Sequence, residues 1–460
     1  MTRNKSGVII SKNKPEVYLK GMTIRMNPQA VQLNDRIRKA NPHCLDMLSR
    51  VGKAMYFPKV GILNQSAEAK SKAHAFNATI GIAMEGGQPM HLALIQETLS
   101  QFSPNDLYPY APPQGKPELR KAWRDKMLSE NPSLAGKTFG QPIVTNALTH
   151  GLSIAADLFA DEGDAVIMPD KNWENYELTF GVRRGANIVT FPLYNEQGLF
   201  NAAGLRDAIA AQKERGKAIV VLNFPVNPTG YTPNASEANA IVDAIRSGAE
   251  AGVSQAVVTD DAYFGLFFED TIRESLFGRL IGLHPRVLPV KVDGATKEEF
   301  VWGFRVGFIT FGSESTDVND ALEQKALGII RGAMSSTAHP SQTFVLRALR
   351  HPDFEKQRNE KVGILQARAN RVKQVLDSGK YDEAWEYYPF NSGYFMCLKL
   401  KSVDAETLRT HILTEYGVGT IALGETDLRV AFSCIEESDV ERLFDLIYQG
   451  VKDLENVAVK

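Results

Sequence analysis

The sequence predicts an α/β fold: a large domain with a mostly parallel seven-stranded sheet covered by helices, plus a smaller α+β domain from the N- and C-terminal parts. Three observations carry this. Between Gln141 and Gly312, apolar runs rich in Val, Ile and Phe alternate with stretches of helical periodicity. That is the pattern of strands covered on both faces and joined by right-handed crossovers. At 460 residues, 43% hydrophobic and 23% charged, the chain can bury a large core and divide into two lobes. After about Pro340 a long helical stretch gives way to short strands and helices, a separate α+β unit.

The elements follow in order. Residues 1 to about 75 mix charge with scattered apolar positions and read as an irregular or partly helical arm. Strands are expected near Ile143–Asn146, Ala165–Pro169, Ile188–Leu193, Ala218–Phe224, Ala256–Tyr263, Val287–Val292 and Val306–Phe311. Helical periodicity fills Gly151–Phe159, Ala203–Ala211 and Ser236–Ala251. The region after Pro340 reads as helix up to Ser378-Gly379. A strand (Gly393–Leu400), a helix (Ala405–Tyr416), two strands (Gly419–Leu423 and Leu428–Phe432) and a helix (Glu437–Val451) then follow. The division expected is an arm with part of the small domain at 1–90, the large domain at 91–340 and the C-terminal small domain at 341–460.

Composition narrows the function. A formal net charge of −2 gives no reason to expect nucleic acid or an acidic membrane as partner. The apolar runs are far shorter than the roughly 20 residues of a membrane span, and the start carries no signal-peptide pattern. Cys44, Cys397 and Cys434 are far apart and odd in number, which suits reduced thiols in a cytoplasmic protein. No histidine spacing resembles a metal site, so no metal is expected.

Four short segments carry the chemistry, each after or near an apolar run. Asn227-Pro228-Thr229-Gly230 has the composition of a plain turn, yet at the carboxyl edge of a sheet the Asn227 amide can donate to a ring oxygen. Asp260, at the end of the run from Gln255, can cap a helix or keep a pyridine nitrogen protonated, which stabilises a carbanion. Its neighbour Asp261 competes for that role, and the spacing to Tyr263 favours Asp260. Tyr263 supplies a second donor to the ring oxygen. Lys297 lies in a short loop after Val287–Val292. Most lysines are solvated, but in a pocket beside cations the amine loses its proton readily and becomes a nucleophile for imine chemistry. Arg305, eight residues on and flanked by apolar residues, offers a fork of donors to a phosphate. An amine, an acid, ring-oxygen donors and a phosphate cation are what pyridoxal 5'-phosphate requires.

Together these segments resemble the class I/II aminotransferases of the fold type I pyridoxal-phosphate enzymes, with aspartate/aromatic aminotransferases as the likeness, over roughly residues 75 to 450. Asn227-Pro228-Thr229-Gly230 is similar to the family's asparagine turn and Asp260-Asp261-Ala262-Tyr263 to its Asp-x-Ala-Tyr element. Lys297 and Arg305 reproduce its lysine-to-arginine interval. The resemblance implies a transaminase in which Lys297 holds the cofactor and shuttles a proton, and a homodimer with shared sites in which Tyr110 reaches the partner's cofactor phosphate. It also implies that Trp173 stacks on the ring with Asn175 nearby, that Arg429 forks onto the substrate α-carboxylate, and that Ala83 touches substrate through its backbone. Arg331, followed by Ser335 and Ser336, resembles a partner-supplied segment that binds a second carboxylate. Two departures stand out. Gly294 replaces the family's serine three residues before the lysine, with Thr296 as the substitute hydroxyl. Asn146-Ala147-Leu148 replaces its small-residue phosphate cradle, leaving backbone N–H groups at the helix opening near Thr149. The expected donors are aspartate or aromatic amino acids, with a 2-oxo acid such as 2-oxoglutarate as acceptor. A β/γ-lyase uses the same ring chemistry, and a non-catalytic aminotransferase-like regulator is the remote alternative.

Overall fold

A computed structural model describes residues 16–19, 22–56 and 61–458. The central sheet has seven strands: β1 (Ile143–Asn146), β2 (Ala165–Pro169), β3 (Asn187–Phe191), β4 (Lys217–Asn223), β5 (Ser254–Asp260), β6 (Val287–Asp293) and β7 (Val306–Phe311). Their order across the sheet is β1-β7-β6-β5-β4-β2-β3. Only β7 runs against its neighbours; β2 to β6 pair in parallel. Every residue of β2 and β7 is buried, which is why these segments read as unbroken apolar runs rather than alternating ones. Apolar clusters lie on both faces.

Helix α1 (Ala147–Phe159) leaves β1 without an intervening loop. Its Gly151 lets it cross β6 closely: a Cβ there would lie 2.9 Å from Val292 Cγ1. The expected strand to Leu193 stops at Phe191 because Pro192 has no N–H to donate. Likewise the single helical stretch after Pro340 is two helices, His339–Leu349 and a longer one over Phe354–Leu376. Pro352 lies in the break, where its ring excludes a continuous helix.

The small sheet comprises β8 (Trp385–Tyr387), β9 (Phe395–Leu400), β10 (Ile421–Leu423) and β11 (Asp427–Ala431), in the order β8-β9-β11-β10. β8 was not expected. The strand expected at Gly419–Leu423 is divided: Val418–Gly419 pairs in parallel with Phe76–Asn77 of the arm, and only Ile421–Leu423 joins β11. The arm itself is mostly helical where described, with helices at Pro28–Ala40 and Ile62–Lys72 among others. Gly230 makes the junction between the sheets. Its φ is +74°, and a Cβ there would sit 2.0 Å from the Phe395 carbonyl oxygen, while its own carbonyl accepts from the N–H groups of Asn391 and Ser392. No side chain fits there.

Cys397 is buried and Cys434 half-buried, both as free thiols; the side chain of Cys44 lies outside the described residues. Among the described residues no helix is long and apolar enough to cross a membrane, and no group of three or more His, Cys, Asp or Glu could hold a metal ion.

Candidate active site

The carboxyl ends of β4, β5 and β6 open toward the small sheet, and the chemistry-bearing residues collect there. Lys297 is not in a loop. It sits in a one-turn helix, α2 (Ala295–Glu298), closed by a bond from Glu299 N to Ala295 O at 3.0 Å. Its carbonyl accepts the Tyr394 hydroxyl at 3.1 Å, and its Nζ stands 4.7 Å from the Tyr263 ring centroid. Burial, reinforced by the like charge of Arg305 and opposed by Asp260, brings the amine down to about 8. A lysine in that state supplies neutral, nucleophilic nitrogen near neutral pH.

Asp260 closes β5 with only 3% of its surface exposed. Its Oδ2 accepts the Tyr176 hydroxyl at 2.6 Å, whereas Oδ1 is buried with no partner among the described residues. Burial pushes this carboxyl up to about 6, against the pull of Tyr176, Lys297 and the nearby Ala262 N–H, which is not in hydrogen-bond geometry with Oδ1. Orphaned buried oxygens are uncommon and call for a ligand; a protonated ring nitrogen fits this one. Asp261, the competitor, is engaged elsewhere: its carboxylate takes Ser275 Oγ at 2.6 Å and pairs with Lys291 in a buried cluster.

Asn223 ties two of the predicted segments together. Its Nδ2 donates to the Asp260 carbonyl at 2.8 Å and its Oδ1 accepts from Asn227 N at 2.9 Å. The Asn227 side chain accepts from Arg429 Nη1 at 2.9 Å through Oδ1. A guanidinium only donates, so this bond fixes the amide orientation and leaves Nδ2 as a donor. Arg429, on β11, is 2% exposed. It also donates to Thr79 O at 3.0 Å and lies 4.3 Å over the Phe395 ring. Its Nε is buried without a partner, and no carboxylate of the described residues pairs with it. A buried cation with no carboxylate in contact, and only the longer-range pull of Glu174, suits an anionic ligand.

On the phosphate side, α1 begins at Ala147, whose φ is +60° and whose N–H is used by the Arg305 carbonyl at 3.0 Å. Leu148 continues the turn, and Asn146 and Thr149 are exposed at its edge. Arg305, itself left-handed at φ +56°, is exposed, and its guanidinium donates to Trp302 O at 3.2 Å. This cation beside a helix N-terminus is a fit for phosphate. The replacement of serine by Gly294 has a steric cause. A Cβ there would lie 2.6 Å from Gly307 Cα and 2.7 Å from Val306 O, and a Cβ on Gly307 would in turn strike Ala147. Thr296 does not stand in as an outward hydroxyl: it is buried, with Oγ1 3.5 Å from Val306 O.

Trp173 is half-buried and meets Tyr176 edge to face, with centroids 5.7 Å apart. With Thr149, Asn175 and the arm residues Tyr56 and Ile62, it lines a cavity of about 410 Å³. Tyr263 is buried against Tyr394 and Phe395, and burial raises its phenol. Ala83 requires a correction. It is wholly buried, and its carbonyl accepts from Met90 N at 3.0 Å. Gly81 instead faces the site: a Cβ there would lie 3.6 Å from Phe395 Cζ and 3.8 Å from the Tyr263 hydroxyl. Tyr110, 95% exposed, and Arg331, exposed in the last turn of the helix Thr316–Ala333 and bonded to Ser335 just beyond it, are not brought to this chain's own site. Sequence reasoning missed Tyr176, Asn223, Tyr394 and Phe395. Only Tyr176 left a trace, three residues after Trp173.

The sequence profile described as Aminotransferase class I and II matches residues 85–447. A probable aspartate/prephenate aminotransferase of Aquifex aeolicus is 26% identical over 348 residues, spanning 72% of this chain and 81% of that protein. An aspartate aminotransferase of Rhizobium meliloti is 27% identical over 278 residues, or 58% of this chain and 60% of that one. Among solved structures, an aminotransferase from Anaerococcus prevotii superposes with a TM-score of 0.78 at 21% identity, covering 88% of this chain and 98% of its own. A Thermus thermophilus aspartate aminotransferase mutant gives 0.70 at 19%, covering 88% and 99%. The profile spans most of the chain, and the donor set fits a phosphorylated pyridine aldehyde. The chain therefore belongs to the class I and II aminotransferases and is a pyridoxal-5'-phosphate-dependent transaminase.

Proposed function

We propose that this enzyme moves an amino group from an L-amino acid, aspartate or aromatic, to a 2-oxo acid such as 2-oxoglutarate in two alternating half-reactions. The observation that carries the reading is the convergence of the depressed Lys297 amine with the orphaned Asp260 Oδ1. The bound cofactor supplies the electron sink. Asp260 keeps a proton on the ring nitrogen, and Asn227 and Tyr263 donate to the ring oxygen. Arg305, with the turn at Asn146-Ala147-Leu148, holds the phosphate, and Trp173 covers the ring face. Arg429 would anchor the α-carboxylate and so place the substrate α-carbon within reach of Lys297, whose amine would take the α-proton and deliver it to the carbon on the far side of the transferred nitrogen. The aspartate in the relatives' names supports aspartate as donor, and prephenate, itself a 2-oxo acid, supports a 2-oxo acid as acceptor.

The same reading makes the working unit a cytoplasmic homodimer. Exposed Tyr110 reaches the partner's phosphate and exposed Arg331 the partner's substrate. Within each subunit this reading gives the large domain residues 91–340, the N-terminal arm with part of the small domain 1–90, and the C-terminal small domain 341–460. Borohydride reduction of the cofactor-loaded protein should leave a stable mass increment on Lys297 alone, and single amino donors should convert the cofactor absorbance in one half-reaction. Ammonia release without a new amino acid would instead select the lyase, and no increment on Lys297 would end the proposal.

A further inference from the structure

The Asp260 carboxyl has a buried phenol for a neighbour. The turn Trp173–Tyr176 closes with a bond from Tyr176 N to Trp173 O at 3.1 Å and leads into a widened π-helical segment, Glu177–Val182. Such segments gather at functional sites. The turn presents the Trp173 indole and the Tyr176 hydroxyl from the same short piece of chain. Tyr176 is 1% exposed, and its hydroxyl meets Asp260 Oδ2 at 2.6 Å. The other oxygen of that carboxyl is the unpartnered one.

We infer that Tyr176 is a positioning residue that holds Asp260 as a carboxylate with Oδ1 alone turned to the cofactor ring, so that the ring nitrogen keeps its proton. The inference rests on the aminotransferase reading above. A phenol has one proton to give, and giving it to Oδ2 blocks protonation there; any proton exchanged with the ring must pass through Oδ1. Donation also favours the ionised acid over the neutral one, against the effect of burial. Without it Asp260 is a stronger base and draws the proton from the ring nitrogen, which weakens the electron sink. The other titratable groups that act on this carboxyl are Lys297 from α2, Asp261 next in the chain, and Tyr263. Lys297 favours the anion, whereas Asp261 disfavours it.

The test is Tyr176→Phe, read in two ways. In the cofactor-free protein, the Asp260 side-chain carboxyl, followed by carbon-13 NMR, should titrate upward by about one pH unit. In the loaded protein, the nitrogen-15 shift of labelled pyridoxal 5'-phosphate should move toward neutral pyridine and kcat should fall about tenfold or more, with KM little changed. A fluorinated tyrosine at 176, a stronger donor of the same shape, should shift the carboxyl titration the other way and covers the case in which Tyr176→Phe fails to fold. An Asp260 titration that is the same in all forms would overturn the inference. If the wild-type protein takes up no cofactor, the aminotransferase reading fails, and the cofactor-free titration still decides the role of Tyr176.

Discussion

Restoring the family's serine at position 294 should damage this protein. In Gly294→Ser, the new Cβ meets Gly307 Cα at 2.6 Å and Val306 O at 2.7 Å, and Leu148 Cδ1 at 3.2 Å. Ordinary contact begins near 3.4 Å, so the β7 backbone must retreat by about 0.8 Å, and backbone has no rotamer with which to yield. It is also held in place: β7 is paired on both sides, and Arg305 O is bonded to Ala147 N. Overpacking of this kind costs about 1–3 kcal/mol, and two backbone neighbours put this case at the upper end. Because Gly307 itself lies against Ala147 and Leu148 N, the displacement passes to the phosphate turn. Each 1.4 kcal/mol lost there weakens cofactor binding about tenfold. The assays are urea unfolding, where the midpoint should fall with an unchanged slope, and fluorescence titration with pyridoxal 5'-phosphate. Gly294→Ala should lose nearly as much, since the Cβ alone makes the clash. A serine variant as stable as wild type that binds cofactor as well or better would refute the steric argument.

Other consequences are testable in the same preparations. Labelling of the cofactor-free protein with an amine-selective reagent should show Lys297 reacting with a midpoint near 8, and Arg305→Gln should raise it by removing a like charge. As the folded value lies below the ordinary lysine value near 10.4, this amine lowers stability in full below pH 8, and the penalty is relieved as pH climbs toward 10.4. Arg429→Lys removes one of the two donations to Asn227 and Thr79, and loss of a charge-assisted bond of about 1.5–3 kcal/mol should lower kcat/KM by about 10–150-fold. Behind α2, Glu299 is 1% exposed with neither carboxyl oxygen hydrogen-bonded; burial raises it to about 7, against the pull of Lys126, 3.8 Å away, and Arg358. Its folded form therefore binds the proton more tightly than the unfolded chain, and stability should decline as pH rises from about 4.5 through about 7. Glu299→Gln should flatten that decline in thermal melts between pH 5 and 8, roughly, and a slope unchanged from wild type would show that Glu299 is ionised throughout.

The amino-acid order alone determined the strands of the large sheet and the residues at their carboxyl ends. Strands buried on both faces must be apolar throughout, so a polar group at the end of such a run, such as Asp260, announces the edge of the sheet. Lys297 and Arg305 were legible for a related reason, because a short chain segment fixes their separation. Tertiary structure decided what those groups touch. Tyr176 lies 84 residues from Asp260, and Arg429 lies 202 from Asn227; no local periodicity encodes such meetings, which depend on strand order and on how the small sheet docks. The same docking placed Gly81 rather than Ala83 beside Tyr263 and set Tyr394 on the carbonyl of Lys297. Within the large sheet, the pairing of β6 with β7 presses Gly294 against Gly307 so closely that the family's serine has no room. Local propensity chose the elements, and contact between distant backbones chose which side chains could exist where they meet.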